Sequence, residues 1–216
     1  MTPHLRPARP DDAGAAVPLV HASGPELLDY AFGTGTRSAL DFLAFAFTDG
    51  AGFFGWRNLT VAVVDGRVVA TAAFYARSDY KGLSRGLTWQ ALRYYPPHEW
   101  PRVAWRGNRL KAVMPPPPHR AHYVALLGVR PDVRNRGIGT AVVLHGRAAA
   151  ERLSRPTYAL DVAETNGRAR ALYERLGFAV TRYQPWPGPP GVPATHRMEM
   201  RVGESPASSQ LDPALL

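Results

Sequence analysis

Cysteine is absent from the 216-residue chain, which excludes disulfides, thiolate metal sites and a cysteine nucleophile. Lysine is almost as scarce, with only Lys81 and Lys111. No apolar run approaches the roughly 20 residues that a membrane-spanning helix requires. The opening Met1-Thr2-Pro3-His4-Leu5-Arg6-Pro7 has no apolar signal-like segment either. The expectation is a soluble, cytoplasmic protein with no membrane partner. Arginine supplies nearly all the charge behind the formal balance of +9. The arginines are scattered rather than interleaved with aromatics in one patch, which argues against nucleic acid as a partner.

What is present is enough apolar material, 45% of residues, for one sizeable core. The chain is organised around Arg134-Asn135-Arg136-Gly137-Ile138-Gly139-Thr140. Before it, His122 to Val129 is a nearly unbroken apolar run of strand length. After it, Thr140 to Leu153 lacks proline and reads as a helix. A glycine-rich helix start offers free backbone N–H groups and the positive end of the helix dipole. With Arg134 and Arg136 alongside, it suits a phosphate or diphosphate. A P-loop would need a lysine here, and both lysines lie elsewhere. A dinucleotide fingerprint would need a third glycine where Val142 stands and a first one directly after the strand, although Asp161 lies where a ribose-binding acid would fall.

The segment Val129-Arg130-Pro131 through Gly139 instead resembles the diphosphate loop, Arg/Gln-x-x-Gly-x-Gly, of the GNAT superfamily of acyl-CoA N-acyltransferases. A second block, Asn166-Gly167-Arg168-Ala169-Arg170-Ala171-Leu172-Tyr173-Glu174-Arg175-Leu176-Gly177-Phe178, is similar to that family's N-x-x-A-x-x-L-Y-E-x-x-G-F segment. Its local physics is legible without the family. Asn166 is a good N-cap, Ala169, Leu172, Tyr173 and Leu176 share a helical face, and Gly177 supplies a left-handed terminus.

The resemblance implies an α/β fold: a mixed, mostly antiparallel twisted sheet of six to seven strands flanked by helices, over residues 3–202. The resemblance also implies a short first strand near Leu5–Arg9 and a helix entry after it; Asp11 would cap that helix and Pro18 limit it, and a second helix is expected from Gly24 to Phe32. A third helix is expected from Thr36 to Thr48, with Leu40, Leu43, Ala44 and Phe47 inward. Asp65-Gly66 between β-branched runs marks a hairpin of Leu59–Val64 with Arg67–Tyr75. Tyr158–Val162, Ala179–Tyr183 and His196–Val202 read as the later strands. Residues 78–121 would be an insertion between the third and fourth strands, with helices near Ser84–Tyr95 and His98–Val113 and a stiff run at Pro115–Pro118. It would serve as an acceptor wall, a dimer contact or a sheet-edge cover. The aromatic group Phe42, Phe45, Phe47, Phe53, Phe54 and Trp56 is read as helix-to-sheet packing, with an apolar acceptor pocket as the alternative. Residues 203–216 read as a disordered tail.

By the same resemblance, the loop amides of Arg134, Asn135, Arg136, Gly137, Ile138, Gly139 and Thr140 hold the diphosphate of acetyl-CoA. The pantetheine arm runs along Leu127, Gly128 and Val129, with Gly128 allowing the strand to splay, and touches Asn166, Ala169 and Tyr173. The implied activity is transfer of an acetyl group to a primary amine, on a small molecule or a peptide N-terminus, with no metal. A non-catalytic acyl-CoA-binding module is the alternative. Tyr173 is the candidate general acid. Glu164 and His122 lead the candidates for general base, with Asp161, Asp79, His98 and Glu99 also in view. Assembly as a homodimer is the default expectation.

Overall fold

The computed structural model describes residues 2–203, so the expected tail lies outside the described residues from position 204 on. Seven strands form one sheet: β1 (His4–Pro7), β2 (Leu59–Val64), β3 (Arg67–Ala76), β4 (Ala121–Val129), β5 (Thr157–Ala163), β6 (Ala179–Gln184) and β7 (Thr195–Arg201). Their order is β1-β2-β3-β4-β5-β7-β6. Neighbours are antiparallel except β4 and β5, which run parallel. The helices are α1 (Ala13–Ala22), α2 (Pro25–Phe32), α3 (Ala39–Asp49), α4 (Arg77–Tyr94), α5 (Trp100–Leu110), α6 (Ile138–Arg152) and α7 (Gly167–Arg175). Alternating strand residues feed two cores on opposite faces. Val61, Ala73, Tyr75 and Tyr123 pack beneath the helices α1 to α5. Ala62, Ala72, Val124, Tyr158 and Leu160 pack towards α6 and α7.

Several local expectations shift. Asp12, not Asp11, secures the first helix entry: its carboxylate accepts from the Arg9 N–H at 2.7 Å and takes a two-pronged contact from Arg6. Pro18 sits inside α1 without ending it. In α3 the inward side is Phe42, Leu43, Ala46 and Phe47, whereas Leu40 and Ala44 are exposed. The helix is rotated because Phe42 stacks on Phe32 and Tyr95, at 4.5 and 5.4 Å.

The insertion is two helices, as the spacing predicts, but α4 begins at Arg77, directly after β3. Asp79 makes the early start possible by accepting the Ala76 N–H at 2.8 Å. The fully buried Gln90 then fastens α4 to the end of α3, donating to the Ala46 and Ala51 carbonyls and to Asp49 at 2.9–3.1 Å. At the far end, Arg197 donates to the Pro115 carbonyl at 3.0 Å and Arg77 to that of Pro117 at 2.9 Å. The insertion is therefore a fixed layer rather than a loose flap.

The feature that positions the site is the parting of β4 from β5. They pair only over Ala121–Tyr123 and Thr157–Ala159. On its other side β4 carries a bulge. Thr71 pairs with Gly128 and Ala73 with Ala125, so Leu126 and Leu127 oppose Ala72 alone. Leu126 has φ 55°, a left-handed conformation that a leucine adopts only at a cost of roughly 1–3 kcal/mol. The buried Thr71 hydroxyl compensates by donating to the Leu126 carbonyl at 3.1 Å. Gly128 is needed for a different reason from the expected splay. A Cβ there would lie 2.0 Å from the carbonyl oxygen of Leu19, so α1 crosses the strand at backbone contact.

Gly128→Ala must push α1 off the sheet, and an overpacking cost of about 2–3 kcal/mol is expected. Chemical denaturation of the variant measures it. An unchanged midpoint would show that α1 does not depend on this crossing.

Candidate active site

A cavity of about 1130 Å³ runs through the gap between β4 and β5 and is lined from both faces of the sheet. On the side of α6 and α7, its walls include Leu127, Gly128 and Val129, then Arg134 and Asn135, then Gly137 to Thr140. Asn166, Ala169 and Tyr173 of the second motif face it from the side of α7. Twelve of the residues singled out in the sequence are thus brought to one space by the tertiary fold. Three are not. Arg136, His122 and Glu164 are not among the lining residues.

The diphosphate end is built by the local chain geometry. Gly137 adopts φ 79°, which turns the loop into α6 so that the amides of Ile138, Gly139 and Thr140 begin the helix without intrahelical acceptors. An added Cβ at Gly137 would meet nothing within 4 Å, leaving open space in front of the turn. Asn135, at φ 64°, is held by Arg168, which donates to its side-chain oxygen at 2.6 Å. This bond ties the loop to the start of α7. Arg134 donates to the Val129 carbonyl at 3.0 Å, which places its exposed guanidinium beside the same loop. Bare amides, a helix dipole and guanidinium groups around open space fit a diphosphate well. Where β4 and β5 diverge, β4 backbone beyond Tyr123 is free of β5 and available to an extended chain such as a pantetheine arm.

Asn166 acts as the N-cap of α7, accepting from the Ala169 N–H at 3.1 Å, and also lines the cavity. Tyr173 is buried and packs against Phe178 at 5.9 Å. Burial alone pushes its phenol up to about 12. It is therefore protonated throughout the neutral range, as a proton donor must be.

The two leading base candidates sit elsewhere. His122 points to the α6 side, stacked between Phe74 and Tyr158 at 5.9 and 5.8 Å. Burial, reinforced by the charge of Arg155, holds its imidazole down at about 4. Glu164 is exposed after β5, with the Tyr183 hydroxyl 3.5 Å away. Of the other candidates Asp161 alone lines the cavity, and it is fully engaged. Arg197 contacts both its oxygens at 2.6 and 2.8 Å, Tyr123 donates at 2.6 Å and Gln184 at 2.8 Å. Burial and the Asp161 charge raise the Tyr123 phenol well above its ordinary value, so it stays a donor to Asp161. The sequence carried no trace of this network: Arg197 shares its strand phase with Glu199 and Arg201, the polar side of the alternation. Its partner strand could not be read from spacing alone.

Of the aromatic group considered for an acceptor pocket, Phe53 and Phe54 line the cavity while Phe42 and Phe47 lie in the core. Packing accounts for most of the group.

A seven-stranded sheet opened between two parallel strands, with a bare helix start at the opening, defines the class: an acyl-CoA-dependent acyltransferase fold. The acetyltransferase (GNAT) family model matches residues 27–178, and the chain belongs to that family. An 84-residue stretch is 38% identical to the mycothiol acetyltransferase of Geodermatophilus obscurus, covering 35% of this chain and 27% of that protein, so the match spans about a quarter of the relative. Among solved structures, an N-acetyltransferase from Staphylococcus aureus Mu50 superposes with TM-score 0.66 at 17% identity, covering 91% of this chain and all of that one. The yncA protein of Salmonella typhimurium, solved with its cofactor acetyl-CoA, does so with TM-score 0.52 at 16% identity, covering 98% and 100%. At these identities the structures attest the shared fold. Among the described residues no cluster of side chains could hold a metal ion, and no helix is long and apolar enough to cross a membrane.

His122 gives the fold a pH signature. Its folded value lies below the unfolded value near 6.5, so between these the unfolded chain binds the extra proton. Stability is therefore full above about pH 6.5 and declines towards pH 4, by at most about 3 kcal/mol. His122→Phe, which keeps the stacked ring, is expected to flatten that part of the curve in denaturation measured at several pH values. A slope as steep as that of the parent would assign the effect to other groups.

Proposed function

We propose that this protein transfers the acetyl group of acetyl-CoA to a primary amine by direct attack on the thioester. The observation that carries the reading is the convergence, at one opening in the sheet, of the bare start of α6, the unpaired stretch of β4 and the Tyr173 phenol. Bound there, acetyl-CoA supplies an activated carbonyl and a thiolate leaving group. The amides of Ile138, Gly139 and Thr140, with Arg134 and Arg168 nearby, hold the diphosphate. The free backbone of Leu127 to Val129 aligns the pantetheine arm, fixing the carbonyl in the gap.

Tyr173 donates its proton to the departing sulfur. Against a thiol near 8.5, a phenol at about 12 would make a complete transfer uphill by roughly 5 kcal/mol. The proton must therefore move as the carbon–sulfur bond breaks rather than before it. For the amine, Asp161 is neutralised by Arg197 and the other carboxylate on the cavity, Glu26, is exposed at its opening. Solvent water takes the ammonium proton.

Tyr173→Phe should lower kcat by well over tenfold while CoA affinity, followed by calorimetry, changes less than twofold. Unchanged turnover would remove Tyr173 from the chemistry. A titration with CoA that gives neither heat nor thermal protection would overturn the reading as a whole.

A further inference from the structure

Four rings from separate segments form one wall on the α1-to-α5 side of the cavity. Phe53, after α3, packs edge-on against Tyr75 of β3 at 5.6 Å and against Tyr80 of α4 at 5.5 Å. Tyr75 in turn meets Tyr123 of β4 at 5.2 Å. All four line the cavity, and the insertion adds Leu87 and Val103 opposite them. This is the half left over once the diphosphate loop and α7 are assigned to the acyl donor.

Its charges are distributed unevenly. Arg134, Arg168 and Arg175 line the donor half, on the loop and α7. On the other half, Glu26 of α2 and Lys111 after α5 line the cavity and are both exposed. Inside, the carboxylate of Asp161 is saturated by Arg197, Tyr123 and Gln184. Against the ring wall itself, where Phe53, Tyr75, Tyr80, Leu87 and Val103 line the cavity, a second ammonium, or the carboxylate of an amino acid, would be stripped of water with no ionic partner beside it. An aromatic body would instead stack on the ring wall, and the ring faces favour one approaching cation.

We propose that the acceptor is a monoamine on an aromatic or apolar body, of the arylalkylamine type, with no charge besides the reacting nitrogen. This rests on the reading of the site as an amine acetyltransferase. In the transfer, the amine nitrogen bonds to the acetyl carbon as the carbon–sulfur bond breaks. The ammonium loses one proton to water before attack, the nitrogen sheds a second to water once bonded to the acetyl carbon, and sulfur takes a proton from Tyr173, which recovers one from solvent.

Thiol release from acetyl-CoA by the full chain, measured with separate amines, tests the proposal. For 2-phenylethylamine and tryptamine, kcat/KM should exceed that for spermidine, kanamycin or glycine at least tenfold. Tyr80→Ala should raise KM for 2-phenylethylamine about tenfold without altering the CoA titration, which also reports that the variant is folded. Equal or better use of the charged acceptors would overturn the assignment. If CoA binds but no amine is acetylated, the transfer reading fails separately. Saturation-transfer NMR of 2-phenylethylamine on the CoA-saturated protein then decides the pocket: contact with the ring supports the apolar half as its site, and no contact overturns it.

Discussion

The structure depends on a parting of neighbouring strands. β4 and β5 are hydrogen-bonded for three residue pairs and then separate. Opening a sheet in its middle exposes backbone groups that would otherwise pair, a cost that a fold tolerates only where something replaces the lost bonds. Here the replacements are identifiable. The bulge at Leu126 and Leu127 bends β4, and Thr71 takes up the carbonyl that the bulge releases. Asp161 bridges the gap from β5, receiving Tyr123 from β4 and Arg197 from β7. The remaining unpaired edge of β4 is left for a ligand.

The same network fixes the insertion beside the cavity. Arg197 donates from Nε and Nη2 to the two oxygens of Asp161, and Nη2 also donates to the Pro115 carbonyl. Thr195 on the same strand donates to the carbonyl of Val113. The end of the insertion is thereby fastened to β7, the neighbour of β5, while Gln90 fastens α4 to α3. A wall anchored at both ends can present Tyr80 and Leu87 to an acceptor in a fixed arrangement, so less ordering entropy is lost on binding.

The glycine turn into α6 was legible in sequence because its geometry is local. Glycine at a left-handed turn, a helix start and neighbouring arginines are all set within a few residues, and Gly137 does cap α6 in the left-handed conformation. The Asn166-to-Phe178 block was legible for the same reason: a cap, a helical face and a left-handed Gly177 are short-range properties. Of the base candidates, His122 and Glu164 do not line the cavity, while Asp161 does and is held by Arg197. His122 lies in a strand whose alternation sends its ring to the α6 core, and neither its phase nor its burial follows from its being a histidine near the right place.

By itself the sequence determined the elements, their order and the glycine turn that opens α6, since these follow from propensity, period and backbone freedom within short windows. It also determined that the chain carries no thiol chemistry. Only the tertiary structure decided where β4 bends, which carboxylate is neutralised, and which of many aromatic rings reach the cavity. Those outcomes depend on contacts between residues tens of positions apart, such as Thr71 with Leu126 and Asp161 with Arg197. The partner in such a contact is chosen by strand register and burial, and neither is encoded in the spacing of one segment.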